Sequence, residues 1–262
     1  MNSRIFKLLL IFGAVAMLGC EKDVKIIEIT GHRGASGLAP ENTMVAMVKA
    51  IEFGADFSEL DVQETADGII VLMHDDSLQR TTGLEAPIWE KSFEDLQTLE
   101  AGAWFSDEFK GEPIPTLKSI IKAVHGKMKL NIELKMSGHE KQLTEKVVAM
   151  VEEEDFINNC IITSFDFSAV NKIKHLNSKI KAGYIFSEIP EDEDVFAADV
   201  DLLSVNKKIV TEEFVQQAHA NNKEVHVWTV NEPDDMRKLI ALGVDNIITN
   251  YPNILKEVLD EM

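Results

Sequence analysis

Short apolar runs that alternate with helical stretches constrain the fold of this chain more than any other feature of its sequence. Runs of this length are typical of buried strands, and their alternation with helices is typical of a parallel sheet covered by helices. The nine runs cover 26–30, 57–62, 69–73, 128–134, 160–164, 182–186, 202–205, 225–229 and 246–249, and helical patterns cover 43–53, 140–154, 211–221, 233–242 and 253–262. The alternation therefore predicts an α/β fold.

The second and third runs break this alternation, because only the residues from Gln63 to Gly68 separate them. A parallel crossover needs a dozen or more residues, so the short connection predicts an antiparallel hairpin. Asp67-Gly68 is a strong signal for a two-residue hairpin turn. Without the returning strand, eight parallel strands are left, which predicts a (β/α)8 TIM barrel, a fold of typically about 250 residues.

An open doubly wound sheet is the alternative architecture. It would favour a Gly-rich phosphate-binding fingerprint after the first strand, and the sequence carries none. Residues from about 76 to 114 exceed the barrel pattern and are predicted to form a small insertion after the hairpin. Within this insertion, Ser92 and Asp95 have the spacing of a capping box that opens a short helix.

The hairpin also predicts which side chains lie near one another. With Asp67-Gly68 as a two-residue turn, residue 63 pairs with residue 72 and Asp61 pairs with His74. Directly opposite residues of an antiparallel pair share a face, with Cβ atoms about 5 Å apart. This register predicts that His74 lies beside Asp61, and a bulge in the hairpin would shift it.

Polar side chains collect at the carboxyl ends of the predicted strands, where barrel enzymes carry their chemistry. Glu59 and Asp61 point to one face because they are two residues apart, and Glu133 and Lys135 do the same on a neighbouring strand. The three carboxylates would repel one another strongly without a cation. Oxygen ligands favour a hard cation, which predicts Mg²⁺ or Ca²⁺, with Mn²⁺ as a third candidate.

Fixed cations and proton-transfer groups accompany the predicted metal site. Arg33 and Lys135 add positive charge, and His32 and His74 take and give protons near neutral pH. A metal ion, fixed cations and two proton-transfer groups together indicate cleavage of a phosphate ester. A single strand-end residue is more often a solvated charge or a structural histidine, but their joint position at one rim favours a site.

The net charge narrows the range of ligands. With 45 Asp and Glu against 26 Lys and Arg among 262 residues, the formal charge is −19. Such a chain repels nucleic acid and anionic membrane surfaces, so neither is a predicted partner. A small anionic substrate is compatible with this charge, because local cations reverse the field at one site. The oligomeric state is left open.

The first 20 residues have the pattern of a targeting signal. Two positive residues precede an apolar run over 8–18, which is too short to cross a bilayer and is followed by Gly19-Cys20. Residues 1–19 are therefore predicted to be a signal peptide. The four residues that end in Cys20 resemble a bacterial lipoprotein signal, which places the mature domain, 20–262, in the cell envelope on a lipid anchor at Cys20, facing the periplasm or the cell surface. Plain secretion is the alternative.

A series of short motifs extends along the chain between residues 26 and 252. They are His32-Arg33-Gly34, Ala39-Pro40-Glu41-Asn42-Thr43, Glu59-Leu60-Asp61-Val62, Asp67-Gly68, His74-Asp75, Thr81-Thr82-Gly83, Ile132-Glu133-Leu134-Lys135, Ser164-Phe165 and Trp228-Thr229-Val230-Asn231. In this order and spacing the motifs resemble those of bacterial glycerophosphodiester phosphodiesterases. The resemblance implies a barrel, one divalent metal ion and hydrolysis of glycerophosphodiesters to sn-glycerol 3-phosphate and an alcohol, with a cyclic phosphate as one route.

The resemblance also implies a role for each matching residue. The metal ligands would be Glu59, Asp61 and Glu133, the acid and base His32 and His74, the phosphate contacts Arg33 and Lys135, and the pocket walls Phe165 and Trp228. Glu41 would either bind the metal or orient Arg33. Asn250 departs from the family, which usually has Asp there, and it is expected to lie outside the core site.

Two other functions fit the same residues. A lysophospholipase D would use the same site with an apolar trough for an acyl chain. A lipoprotein that binds glycerophosphodiesters without turnover would need no proton-transfer groups, so the two histidines argue against it. The sequence leaves open the headgroup, the metal in use and the histidine that acts first.

Overall fold

A closed ring of parallel strands forms the centre of the structure, a computed structural model that describes residues 27–262. The predicted signal peptide and Cys20 lie outside the described residues. The strands are β1 (Glu28–Gly31), β2 (Phe57–Glu64), β3 (Ile70–Leu72), β4 (Lys129–Leu134), β5 (Cys160–Ser164), β6 (Lys181–Phe186), β7 (Leu202–Asn206), β8 (Glu224–Trp228) and β9 (Asn246–Thr249). All but β3 pair in parallel in the ring order β1-β2-β4-β5-β6-β7-β8-β9, and β9 pairs again with β1. The predicted (β/α)8 barrel is confirmed, and the open sheet is wrong.

Helices between the strands cover the outside of the barrel. They are α1 (Met44–Glu52), α2 (Gln79–Thr82), α3 (Phe93–Leu96), α4 (Leu117–Val124), α5 (Leu143–Glu153), α6 (Phe167–Leu176), α7 (Glu212–Ala220), α8 (Pro233–Leu242) and α9 (Pro252–Asp260). The helical patterns in the sequence did not predict α2, α4 or α6. Within the described residues no α-helix lies between β6 and β7. Across residues 27–262, no helix combines the length and apolar character that crossing a bilayer requires.

Side-chain caps fix where several of these helices begin. Thr43, Thr116, Asp166 and Thr211 each accept a hydrogen bond from the backbone N–H three residues later, at the start of α1, α4, α6 and α7. A cap of this kind satisfies a backbone donor that the helix leaves unpaired. The caps therefore set the points at which the chain leaves each barrel loop.

Alternate residues of the strands lie in two different environments. Leu60 of β2 and Ile132 of β4 face outward and pack in the large apolar core beneath the helices. Their sequence neighbours Glu59, Asp61 and Glu133 face the barrel interior, because side chains of a strand alternate between its faces. The alternation explains how three carboxylates are buried in a chain whose outer core is apolar.

The hairpin of β2 and β3 differs from its predicted register by one residue. Gln63 pairs with Val71, not with Leu72, because the loop has three residues, Ala66, Asp67 and Gly68. Gly68 has a φ of +82°, the left-handed conformation that a three-residue hairpin loop requires at this position. The prediction that His74 lies directly opposite Asp61 is therefore wrong, and the chain brings His74 to the barrel mouth in another way.

The insertion predicted after the hairpin lies between β3 and α4 and has a small apolar core of its own. The buried members of this core are Val71, Met73, Leu78, Ile88, Leu96, Ala101 and Ile114. The predicted capping box opens α3, since Ser92 Oγ accepts from the Asp95 N–H and Asp95 accepts from the Ser92 N–H. Trp89 stacks on His139 at 3.9 Å between ring centroids, which fastens the insertion to the loop after β4.

Candidate active site

Three buried carboxylates lie together inside the mouth of the barrel. Glu59 and Asp61 come from β2, and Glu133 comes from β4, where it is the register neighbour of Asp61. Their exposed fractions are 5%, 1% and 9%. Each offers one oxygen such that the three atoms lie within 4.8 Å of one another. The structure thus brings together the three residues that the sequence predicted as metal ligands.

The protein alone stabilises only one of these carboxylates as an anion. Burial and the charges of Asp61 and Glu133 raise the pKa of Glu59 well above its usual range. Burial and Asp61 raise the pKa of Glu133 to about 7. Burial also acts on Asp61, but Arg33 and Lys135 outweigh it and lower the pKa of that carboxyl. A cluster that cannot hold its full negative charge fits a hard divalent cation with oxygen ligands.

Two basic side chains border the carboxylates. The Arg33 Nε atom lies 3.3 Å from Asp61 Oδ2. The Lys135 Nζ atom lies 2.8 Å from Glu133 Oε1 and 3.6 Å from Asp61 Oδ1. The backbone N–H of Arg33 also donates to Glu59 Oε2 at 2.8 Å, which ties the loop after β1 to the ligand strand. Both basic side chains are largely buried, so water screens their charges little.

His32 is held by a residue that was predicted to lie outside the site. Its Nδ1 lies 2.7 Å from Asn250 Oδ1, which also accepts from the Ser36 hydroxyl at 3.1 Å. The expectation for Asn250 is therefore wrong, because the loop after β9 turns back toward the loop after β1. An amide oxygen only accepts, so Nδ1 carries the proton and Nε2 is left as the basic nitrogen. Burial and Arg33 lower the pKa of His32 to about 4.

His74 is held by a charged network instead. Its Nδ1 lies 2.6 Å from Asp75 Oδ1, and Asp75 accepts from Arg80 Nε at 2.6 Å. The hydrogen bonds from Arg80 and then from His74 lower the pKa of Asp75 to about 2. Arg80 also binds both oxygens of Glu41 at 2.8 and 2.9 Å. The partner of His74 is a carboxylate, whereas the partner of His32 is a neutral amide.

Glu41 lies behind the site and contacts Arg33, not the carboxylate cluster. Its Oε1 accepts from Arg33 Nη1 at 2.8 Å. Of the two predicted alternatives for Glu41, its position agrees with orienting Arg33. Together with Arg80, it links the loop after β1 to the insertion. Because Arg80 lies in the insertion, no strand-end pattern in the sequence could have placed it here.

A cavity of about 140 Å³ opens above the carboxylates. Its lining includes the ionisable side chains of His32, Arg33, Glu59, His74, Glu133 and Lys135 and the apolar or aromatic side chains of Phe165, Ile185, Trp228 and Ile248. The rings of Phe165 and Trp228 meet edge to face at 5.7 Å between centroids. Both aromatic residues predicted as pocket walls thus line the same cavity as the two histidines.

A second acidic cluster lies at the opposite end of the barrel. It comprises Glu28, Glu224 and His226, at the starts of β1 and β8. Lys181 Nζ binds both oxygens of Glu224 at 2.6 Å, and Lys129 Nζ lies 3.7 Å from Glu28. Despite burial, hydrogen bonds from His226 and Lys181 lower the pKa of Glu224 to about 2, whereas the pKa values of Glu59 and Glu133 are raised, so the mouth cluster is the better candidate for a metal ion.

Comparison with known proteins agrees with this geometry. The model of the glycerophosphoryl diester phosphodiesterase family matches residues 32–254. The chain belongs to this family. The matched span of the glycerophosphoryl diester phosphodiesterase family contains both histidines, all three carboxylates and both pocket aromatics. The resemblance inferred from the motifs is confirmed.

Relatives and solved structures of the glycerophosphoryl diester phosphodiesterase family match over nearly their whole length. YhdW of Bacillus subtilis is 36% identical over 234 residues, which cover 87% of this chain and 96% of that protein. The glycerophosphodiester phosphodiesterase of Caldanaerobacter subterraneus subsp. tengcongensis is 34% identical over 232 residues, which cover 87% of this chain and 95% of that protein. A phosphodiesterase structure from Oleispira antarctica, in complex with the product sn-glycerol-3-phosphate, has a TM-score of 0.83 and 31% sequence identity. The match covers 89% of this chain and 96% of that chain.

Proposed function

We propose that this protein hydrolyses glycerophosphodiesters to sn-glycerol 3-phosphate and an alcohol. The observation that carries the proposal is the convergence of two histidines, each with its Nδ1 atom at an oxygen acceptor, on one cavity above three buried carboxylates. Histidines held in this way present Nε2 for proton transfer. The solved Oleispira antarctica relative, which contains sn-glycerol-3-phosphate, supports the same substrate class.

Glu59, Asp61 and Glu133 would hold one divalent cation, Mg²⁺ or Ca²⁺, with Mn²⁺ as a third candidate. When bound, this ion would neutralise negative charge that develops on the phosphate. Arg33 and Lys135 would bind the remaining phosphate oxygens, because both already lie beside the carboxylates. Asn42 would keep Asp61 in place, since its side chain bonds both the carboxylate and the backbone N–H of Asp61.

The two histidines would exchange protons with the substrate in two steps. In the first, the glycerol hydroxyl next to the phosphate attacks phosphorus, His32 takes the hydroxyl proton, and His74 gives a proton to the leaving alcohol oxygen. The product of this step is a cyclic phosphate. In the second, water opens the ring, His74 takes a proton from the water, and His32 returns its proton to the glycerol oxygen.

The hydrogen-bond partners of the two rings support this assignment of roles. His32 faces the cavity through an unprotonated Nε2, since Nδ1 donates to the neutral Asn250 amide. A base needs such a free nitrogen. The Nδ1 atom of His74 lies 2.6 Å from Asp75 Oδ1, and this contact orients the ring for proton transfer. Glycerol carbons would contact the rings of Phe165 and Trp228, which line the cavity.

Turnover of a deacylated substrate tests the proposal. We expect the purified protein to release sn-glycerol 3-phosphate from glycerophosphoethanolamine and glycerophosphocholine, measured with a coupled glycerol 3-phosphate dehydrogenase assay. The apolar and aromatic residues in the cavity lining make lysophospholipase D activity the second candidate. Cleavage of lysophosphatidylcholine without cleavage of glycerophosphocholine would favour that activity. Tight binding of glycerophosphocholine without any turnover would instead indicate a binding lipoprotein.

We propose further that Cys20 is lipidated and anchors the domain in the bacterial cell envelope. The support is the sequence pattern alone, an apolar run over 8–18 followed by Gly19-Cys20. Expressed with its signal in a bacterial host, the protein should gain the mass of a diacylglyceryl group on Cys20, and Cys20→Ser should remove this gain. Intact-mass analysis checks both. A mature chain with unmodified Cys20 would contradict the anchor.

A further inference from the structure

Gln63 lies at the point where the hairpin strand turns toward the barrel mouth. It follows Asp61 by two residues on β2, so both side chains point to the same face. Its exposed fraction is 3%. The Nε2 atom of Gln63 donates to three consecutive backbone carbonyls, those of Met73 at 3.1 Å, His74 at 3.3 Å and Asp75 at 2.9 Å. One buried amide therefore contacts the whole segment that carries His74 and its partner Asp75.

Three consecutive carbonyls can reach one donor only if the chain curls around it. In a strand, consecutive carbonyls point alternately to the two edges, so a single donor cannot reach three of them in succession. A carboxamide has two N–H hydrogens, so the three contacts include a shared one. The curl begins directly after β3 and turns His74 out of the strand into the cavity.

At the last residue pair of the hairpin, two amide side chains replace one of the two backbone hydrogen bonds. In an antiparallel pair, residues at every second position exchange two backbone hydrogen bonds. Asp61 and Met73 stand at such a position, and the Met73 N–H donates to the Asp61 carbonyl at 3.1 Å. The reciprocal bond is replaced, because the Asp61 N–H donates to Asn42 Oδ1 at 3.1 Å and the Met73 carbonyl accepts from Gln63. The backbone hydrogen bonds between β2 and β3 thus end at the point where the Asp61 and His74 side chains turn toward the barrel mouth.

We infer that Gln63 is a positioning residue for His74. It holds the 73–75 segment in the curl that presents the His74 ring, and it does not itself line the cavity. The inference rests on the proposed function, in which His74 transfers a proton. Displacement of a catalytic group by about 1 Å can cost on the order of 10²-fold in rate, even when the substituted residue lies away from the chemistry.

The test replaces the Gln63 amide and follows its effect through His74. Gln63→Met keeps the length of the side chain and removes its donor, and Gln63→Asn keeps the amide but cannot reach the carbonyls. We expect each to lower kcat for glycerophosphoethanolamine by about ten- to hundredfold, with KM changed less than about threefold. Gln217→Met, on the exposed side of α7, is the matched control and should leave kcat unchanged.

A double-mutant cycle separates positioning from a general loss of structure. If Gln63 acts through His74, then Gln63→Met should cause little further loss in a His74→Ala background. Equal losses in both backgrounds would overturn the inference, because Gln63 would then act on the metal site or on the fold.

Imidazole ¹⁵N NMR gives a readout that does not depend on turnover. The His74 signals should shift in both Gln63 variants, while the His32 signals should stay unchanged. If the wild-type protein cleaved no glycerophosphodiester, the proposed function would fall, and this His74 shift would still support the positioning role. Unchanged His74 signals would refute it whatever the activity.

Discussion

Removal of divalent cations should abolish turnover, and added Mg²⁺, Ca²⁺ or Mn²⁺ should restore it. The reason is the electrostatics of Glu59, Asp61 and Glu133, which the protein alone cannot keep fully ionised. With EDTA present, we expect no detectable release of sn-glycerol 3-phosphate from glycerophosphoethanolamine. Dialysis followed by titration of each ion measures both the recovery and the apparent affinity.

Glu59→Gln tests the same site with one charge removed and the shape retained. The variant should need far more cation for any residual activity, because a hard cation loses an anionic ligand. Glu28→Gln is the matched control, since Glu28 belongs to the acidic cluster at the opposite end of the barrel. It should show the wild-type dependence on cation. Full activity of a chelated, metal-free wild-type sample would contradict the metal site and the proposed mechanism with it.

The pH dependence of stability reports on the same carboxylates without any substrate. Burial and Asp61 raise the folded pKa of Glu133 from 4.5 to about 7, so the chelated native state binds more protons than the unfolded chain between these values. Stability of the chelated protein should therefore fall as pH rises through this window. This loss of stability should be smaller in the Glu133→Gln variant, because the glutamine side chain cannot ionise. Added cation should raise the melting temperature of the wild type by mass action.

The barrel and its carboxylates could be predicted because strand periodicity carries the information. Glu59 and Asp61 alternate with buried apolar residues, so a period of two places them on the inner face. Glu133 follows from the same pattern on β4. The order of short apolar runs then brings the two strands together as register neighbours. The strand pattern and the short hairpin connection are therefore sufficient to predict where the three carboxylates lie.

The register of the hairpin could not be predicted from its turn residues. Asp67-Gly68 suits a two-residue turn and also the end of a three-residue loop, since both use glycine in the left-handed conformation. The Thr65 side chain favours the longer loop by accepting from the Ile69 N–H and donating to Asp67. These contacts form only in the folded loop, so the sequence offers no reason to choose between the two.

The partners of the histidines could not be predicted for a different reason. Asn250 and Arg80 come from the loop after β9 and from the insertion, and their contacts depend on how those segments fold over the mouth. Strand periodicity says nothing about such segments. The one available signal was position, because Asn250 directly follows the last barrel strand, where catalytic residues concentrate.

Loss of either histidine should lower kcat by at least about 10²-fold, the low end for general acid–base catalysis. His32→Ala removes the nitrogen that faces the cavity beside Glu59, and His74→Ala removes the ring that contacts Asp75. Both rings lie at the rim and fill little of the core, so the melting temperature should change little. His175→Ala, at an exposed position on α6, is the control and should keep wild-type kcat.

The leaving group distinguishes the two histidines. A glycerophosphodiester of p-nitrophenol needs no protonation of its leaving oxygen, because nitrophenolate is a weak base. If His74 is the first acid, His74→Ala should lose much less activity on this substrate than on glycerophosphoethanolamine. His32→Ala should lose the same fraction of its activity on both substrates, since the attacking hydroxyl still needs a base. The reverse pattern would make His32 the first acid and His74 the first base. A wild-type kcat in either variant would remove that histidine from the mechanism.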